Sequence, residues 1–309
     1  MIVTVTLNTA LDHVLHLPRF EMDRTIRASR STISMGGKGT DASYILGCLG
    51  IPSRAMGFRA GIFGQKMEAM LKAKGVETDF VSVDGETRLN TLMISEAEGR
   101  QSTITVDTLY AEARHVDDLL GRFRAALPEA RCVVVGGPPP GSVSAEVIGE
   151  LVRIARSFNL PTVVDTSGES LKVAYDAGPS VIKPNQHEFD QLVGRPLVSL
   201  ADIQRAGVSL LSQSDTALVI TLGKDGALAF YPDAAYRIPA LEVDVANTAG
   251  GGDAILAGLA AAYARGQAVE EGLRLGFAAA AAVMLTPGTA ECRAEDVARL
   301  RDQVRILRL

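Results

Sequence analysis

The sequence has no tryptophan, 3 cysteines and 5% aromatic residues. Cys48, Cys132 and Cys292 are odd in number, widely spaced and set among apolar neighbours, which argues against a disulfide framework or a zinc site and for reduced core thiols. No run of about 18 apolar residues occurs, so there is no candidate membrane-spanning helix. Neither charge sign dominates: 31 Lys and Arg stand against 36 Asp and Glu, a net −5. This balance gives no bulk attraction to nucleic acid or to an anionic membrane, neither of which is expected as a partner, so any phosphate must be held by local groups. The G-x-x-x-x-G-K-[ST] run of a P-loop is also missing. The chain opens directly into the strand-like "MIVTVTLNTALD", without a basic leader, and a cytoplasmic location is expected.

What is present is a pattern of alternating elements. The runs 2–7, 131–137, 161–168, 180–185 and 216–223 are short, β-branched and almost continuously apolar, as strands covered on both faces are. Segments with helical periodicity, such as 144–159 and 202–213, lie between them, which predicts a parallel sheet in a three-layer α/β/α core. At 309 residues, one domain spanning 1–309 with a small appendage fits better than two equal domains. The appendage is predicted at about 12–35 and 87–107, where alternation and the turn "EAEG" indicate hairpins of a separate β layer. Such a layer must pack on the main domain or on another subunit, and a lid shared in a homodimer is expected. The Ala-rich stretch 276–290 reads as a closely packed helix. His13 and His16, three apart on a predicted strand, fall on opposite faces and do not form a metal pair.

In "NTAGGGDAILAGL" (247–259), three glycines and Asp253 stand at the head of an apolar helix. Unpaired amides and the helix dipole suit such a start to a phosphate, although the dipole contributes only about 0.3–1 kcal/mol, up to ~2 when partly buried. Asp253 would then accept a proton from an attacking hydroxyl. The residues alone leave a second reading open, a tight turn with an aspartate that favours a helix start. A second glycine run, "GKGTDA" (37–42), fits a relaxed G-x-G-x-x-A, but no acidic residue follows about 20 positions on, which argues against dinucleotide binding.

Together, "GGKGTDAS" (36–43) and "NTAGGGDAILAGL" resemble the paired signatures of the ribokinase/PfkB family of sugar kinases. The similarity runs over essentially the whole chain and is closest to the hexose-phosphate branch of 1-phosphofructokinases and tagatose-6-phosphate kinases. It implies a ribokinase-like fold with a β-sheet lid, ATP as co-substrate and Mg²⁺ as cofactor. By that resemblance Asp253 is the catalytic base, and the amides of Ala249, Gly250, Gly251 and Gly252 form the anion hole. "KPNQHEF" (183–189) is similar to the N-x-x-E element, which makes Asn185 and Glu188 candidates for Mg²⁺, Glu188 through water, with Lys183 near the phosphates. "TLGKDG" (221–226) is similar to the nucleotide-binding turn and offers Thr221, Gly223 and Gly226, with the adenine between this turn and the Ala-rich helix.

For the acceptor, "TLNTALD" (6–12) resembles the hexose-phosphate branch, and so does "DTSGESL" (165–171). The resemblance assigns Asn8 and Asp12 to the sugar with Gly36, Gly37, Lys38 and Asp41, and implies that Arg24, Lys38, Arg88 and Asn90 converge on its phosphate. The acceptor so implied is fructose 1-phosphate, tagatose 6-phosphate or fructose 6-phosphate. An unphosphorylated sugar or nucleoside, a non-catalytic sugar-binding regulator and an oxidoreductase are the rival readings. Four positions depart from the family pattern. Thr9 replaces a proline, "GGPPPG" (136–141) a GSLPPG-like loop, and Gly251 an Ala or Ser. Asp41 replaces an Asn, exchanging a donor and acceptor for a charged acceptor.

Overall fold

The β-branched runs pair side by side in the computed structural model, which describes residues 1–309. The chain begins with β1 (Ile2–Thr6), β2 (Ala10–Leu17), β3 (Arg30–Gly36), α1 (Lys38–Cys48), β4 (Ser53–Arg59), α2 (Gly61–Ala73) and β5 (Glu77–Ser82). There follow β6 (Asp84–Gly85), β7 (Arg88–Ser95), β8 (Arg100–Ile104), β9 (Leu109–Tyr110), α3 (Ala113–Ala126) and β10 (Cys132–Gly136). Next come α4 (Glu146–Ser157), β11 (Thr162–Asp165), α5 (Glu169–Ala177), β12 (Val181–Ile182), α6 (Gln186–Val193), α7 (Leu200–Leu211) and β13 (Ala217–Thr221). The chain closes with β14 (Ala227–Tyr231), β15 (Ala234–Ile238), α8 (Gly251–Arg265), α9 (Val269–Met284), α10 (Ala294–Arg301) and β16 (Leu307–Arg308).

The main sheet has ten strands in the order β16-β15-β14-β13-β12-β11-β10-β1-β4-β5. Neighbours from β13 to β5 are parallel, and β14, β15 and β16 extend one edge antiparallel. Strands β1, β10 and β14 are buried along their full length because helices cover both faces. Successive side chains therefore enter different cores. Val133 and Val135 pack with Phe123 and Leu151 on the side of α3 to α7, while Cys132 and Val134 pack with Leu256 and Leu273 on the side of α8 and α9. All three cysteines are unpaired. No helix is long and apolar enough to cross a membrane.

Two predicted boundaries shift. The Ala-rich helix ends at Met284 rather than running on to 290, because Pro287 and Gly288 stop it, and residues 285–290 form a loop. The 180–185 strand shrinks to Val181–Ile182, since Pro184 and the cap Asn185 already belong to the start of α6.

The lid is a separate four-stranded sheet, β3-β2-β7-β8. Its β7 and β8 form the expected hairpin around 96–99, whereas β2 and β3 are antiparallel across a long connection, 18–29. The two halves join by parallel pairing of β2 with β7, not by a chain of hairpins. That register sets Asp12 opposite Asn90 and Ala10 opposite Arg88, carrying three polar side chains to one end of the sheet.

Phe189 in α6 is fully buried, at 0% exposure, behind the start of its helix. Phe189→Ala is expected to lower stability by roughly 3–5 kcal/mol in urea denaturation, and a loss below about 1 kcal/mol would show that this ring does not anchor α6.

Candidate functional site

The carboxyl ends of β10 and β11 and the start of α8 meet at one edge of the main sheet, where ligands of open α/β sheets bind. Gly250, the N-cap of α8, has φ +79°, and a Cβ there would stand 1.3 Å from Thr289 O, so no other residue fits. The first backbone donors of the helix are Asp253 N and Ala254 N, both to Gly250 O. The amides of Gly250, Gly251 and Gly252 therefore have no backbone acceptor. Ala249 differs. Its N–H donates to Asn247 Oδ1 at 2.9 Å in an Asx-type turn, so the expected anion hole of 249–252 reduces to three glycine amides.

Below these amides lies a buried ion cluster. Lys183 Nζ is 2.7 Å from Asp165 Oδ2, and Lys38 Nζ is 2.5 Å from Asp165 Oδ1 and 3.4 Å from Glu188 Oε1. A Cβ on Gly252 would be 3.3 Å from Lys183 Nζ, which sets that ammonium beside the glycine amides. Burial alone would raise the Asp165 pKa, but Lys183 and Lys38 hold it below the ordinary carboxylate value. Burial works against the charge of Lys38, yet Asp165, Glu188 and Asp253 raise its pKa above that of an ordinary lysine. Lys38, predicted for the acceptor phosphate with Arg88 and Asn90, is bonded in this structure to Asp165 and Glu188.

The N-x-x-E pattern is a capping box. Asn185 Oδ1 accepts from Glu188 N at 2.9 Å, and Glu188 Oε2 accepts from Asn185 N at 2.8 Å. Glu188 Oε1 is left facing Lys38. No group of three or more acidic, histidine or cysteine side chains is arranged to hold a metal alone. One carboxylate oxygen and one amide oxygen are hard donors, and they fit Mg²⁺ that keeps waters and takes its other ligands from phosphates.

The lid register forms the opposite wall. Asn90 Nδ2 donates to Asp12 Oδ1 at 2.8 Å, and the same oxygen lies 2.6 Å from where a Gly36 Cβ would be, so Gly36 admits the carboxylate. Gly37 caps α1 with φ +89°. Asn8 donates to Asp107 Oδ1 at 3.2 Å. Asn8 Oδ1, Asn90 Oδ1, Arg88 Nε and Asp41 Oδ1 are buried without a partner in the chain, the condition in which polar atoms recognise a ligand. Arg24 does not join them. Its side chain is 74% exposed on the 18–29 connection and 3.7 Å from Glu21, because the long link between β2 and β3 leads it outward. Thr9 is structural: its hydroxyl donates to Phe58 O at 2.6 Å and ties the β1–β2 link to β4.

Across the glycine corner, a cavity of about 750 Å³ runs between the 221–226 turn and α9. Asn185, Thr221, Gly223 and Gly226 line it with Gly251 and Gly252, and its far wall is Ile255, Phe277, Ala280 and Met284. The small side chains of α9 leave a flat apolar slot, and the glycine amides stand at its inner end.

Asp253 faces this corner from the first turn of α8, partly open to the cleft. Burial and then Asp165 raise its pKa to about 7, against the opposing pull of Lys38 and Lys183. Burial likewise raises Asp12, against the hydrogen bonds of Asn90 and Thr289 and the charge of Arg88. A carboxylate poised near neutrality beside three free amides can take a proton from an alcohol while the amides hold transferring negative charge.

The sequence reading gave no role to several residues that complete the site. Asp165 lies inside a quoted motif, but its task follows only from two lysines distant in the chain. Asp107 holds both Asn8 and Gly141 N, the latter at 2.7 Å. Thr289 links the lid to the glycines: its N donates to Ser34 Oγ and its Oγ1 to Met35 O. Gln101 of β8 accepts from Thr248 N at 3.4 Å. None of these carries a local signal.

Residues 5–296 match the pfkB family of carbohydrate kinases. A 1-phosphofructokinase from Haloferax volcanii is 34% identical over 96% of this chain and 95% of its own length. A tagatose-6-phosphate kinase from Staphylococcus epidermidis is 29% identical over 89% of each chain. The crystal structure of a possible 1-phosphofructokinase from Thermotoga maritima, 28% identical, superposes with a TM-score of 0.90 over 100% of this chain and 99% of that one.

The raised pKa of Asp253 has a stability signature. An ordinary aspartate releases its proton near 3.8, but Asp253 in the folded chain holds one up to about 7, so the stabilisation it gives at low pH is lost as pH rises through that interval. Asp253→Asn removes this slope. Its Tm is expected to rise relative to wild type as pH is raised from about 4 to about 7 in thermal melts; a difference that stays constant would show that the site does not strain this carboxyl.

Proposed function

The chain belongs to the pfkB family of carbohydrate kinases, enzymes that phosphorylate a sugar hydroxyl with ATP, and from this we propose that it works in the cytoplasm on a ketohexose phosphate, with Asp253 as general base. Residues 1–309 act as one kinase domain in this reading. The observation that carries it is the meeting of Asp253, three unpaired glycine amides and Lys183 at one corner, between an apolar slot and the Asp12–Asn90–Arg88 wall. The relatives above are named for phosphofructose and tagatose 6-phosphate, which supports a phosphorylated acceptor, fructose 1-phosphate first. Tagatose 6-phosphate and fructose 6-phosphate are the other acceptors this wall suits.

In this mechanism the adenine occupies the slot between the 221–226 turn and α9, and the triphosphate extends toward Gly252. The acceptor hydroxyl attacks the γ-phosphorus: its oxygen forms the new bond to phosphorus, the bond to the β–γ bridging oxygen breaks, and its proton passes to Asp253. The amides of Gly250, Gly251 and Gly252 hold the charge on the transferring group, and Lys183 and Lys38 neutralise what accumulates beside it. When bound, Mg²⁺ supplies charge neutralisation at the phosphates, and Glu188, through water, and Asn185 are the residues that would hold it. Asp12 and Asn90 orient the sugar, and Arg88 meets its phosphate. A homodimer through the lid belongs to the same reading. It is supported by the exposed length of β8, with Ile104 at its end, and the exposed Val106 just beyond.

The test is ADP release across sugars, sugar phosphates and nucleosides. Turnover confined to phosphorylated ketohexoses is expected. A preference for unphosphorylated acceptors would overturn the acceptor assignment, and no release from any substrate would favour a non-catalytic regulator. Asp253→Asn is expected to lower kcat by roughly 10² to 10⁴, the usual contribution of a positioned base, and unchanged turnover would remove Asp253 from the mechanism. Arg88→Ala is expected to raise KM for the phosphorylated acceptor far more than for ATP; equal effects on both would argue against a phosphate at this wall.

A further inference from the structure

Asp107, on the link between β8 and β9, has no part in the mechanism above, yet its carboxylate spans two segments of the main domain. Oδ1 accepts from Asn8 Nδ2 at 3.2 Å on the β1–β2 link, and Oδ2 accepts from Gly141 N at 2.7 Å on the β10–α4 link. A Cβ on Gly141 would stand 3.0 Å from that Oδ2, so the close approach favours glycine. A carboxylate only accepts, whereas a side-chain amide has one donating and one accepting end. Asn8 must therefore turn its amino group to Asp107 and its carbonyl oxygen away. That oxygen, Oδ1, has no partner in the chain, and Asn8 is 7% exposed. A buried acceptor without a donor is costly, and a ligand hydroxyl removes that cost. Asn8 lies two residues before Ala10, which pairs with Arg88 in the lid register, so the free oxygen stands at the edge of the Asp12–Asn90–Arg88 wall. Asn90 is oriented in the same way, with its amino group on Asp12 and its own Oδ1 unpartnered.

We propose that Asp107 is a positioning residue, which holds the Asn8 amide so that Oδ1 accepts from one ring hydroxyl of the phosphoketohexose. The inference deepens the reading of the chain as a ketohexose-phosphate kinase and rests on it. An inward-facing carbonyl oxygen binds a hydroxyl, which donates, and rejects a phosphate or ether oxygen, which only accepts. Arg88 is the converse, since its Nε is an unpartnered donor and suits the phosphate. With both ends set, the acceptor enters in one orientation, a hydroxyl toward Asn8 and the phosphate toward Arg88. An amide free to turn would offer either end and lose that discrimination. Asp107 acts through Asn8, so its effect falls on binding of the acceptor and not on the chemical step.

The test compares wild type with Asp107→Asn on the phosphoketohexose that wild type turns over fastest, and on analogues of it that each lack one ring hydroxyl. An amide at position 107 donates as well as accepts, and no longer dictates which end of Asn8 faces inward. KM for the acceptor is expected to rise about three- to tenfold, the contribution of one neutral hydrogen bond, while kcat and KM for ATP stay within about twofold. One analogue is expected to lose about tenfold or more in kcat/KM with wild type, but less than about threefold with Asp107→Asn. Asn8→Ala, with Asp107 intact, is expected to become blind to the same hydroxyl. Equal effects on ATP and acceptor, or an analogue pattern unchanged by Asp107→Asn, overturn the proposal. So does an Asn8→Ala enzyme that keeps full discrimination or loses it at a different hydroxyl, a result that stands even where Asp107→Asn does not fold. Absence of wild-type turnover on every ketohexose phosphate overturns the kinase reading instead.

Discussion

Two ammonium groups closing on the one carboxylate of Asp165 hold the site together. Lys38 comes from the start of α1, Lys183 from the turn before α6 and Asp165 from the end of β11, so three segments distant in the chain are fixed to one point. Both Lys183 and Asp165 are almost fully buried, and breaking such a pair by removing one partner leaves an uncompensated charge that costs several kcal/mol. The triad also supplies the field in which Asp253 sits: the lysines stabilise its charge while Asp165 and burial oppose it. The carboxyl of Asp253 is therefore tuned by the same contacts that fix the backbone around it.

The two walls of the cleft are built on different principles. The wall along the slot is shape: alanines of α9, a turn and a helix start that offers bare amides. The lid wall is register, since parallel pairing of β2 with β7 sets Asp12 against Asn90 and brings Arg88 to the same end. A lid sheet that slipped by one residue would turn these side chains to the opposite face and dismantle that wall, although the main sheet would remain intact.

Much of this was legible in the sequence, for reasons that differ by element. Continuous β-branched runs marked β1 and β10 to β13 of the main sheet because burial on both faces demands them, whereas its other strands went unread, and the glycine runs marked the two helix starts because few residues accept those backbone angles. What failed was non-local or already committed. Pairing of β2 with β7 joins residues 78 positions apart and leaves no local trace. The pairing of Lys38 with Asp165, 127 positions on, is likewise invisible locally. The N-x-x-E pattern has a local task as well, since both of its side chains cap the start of α6. Ala249 belongs to the glycine loop in sequence, but Asn247 has taken its amide.

Thr289 gives the molecule a property that no single wall has. Its N–H and hydroxyl are bonded to Ser34 and Met35 at the end of a lid strand, and its carbonyl abuts Gly250. The end of the lid strand β3 and the glycine cap of α8 thus meet at one residue. A residue far from both in the sequence is shared by the end of β3 and the cap of α8, so a change at position 289 would disturb the lid sheet and the glycine corner together.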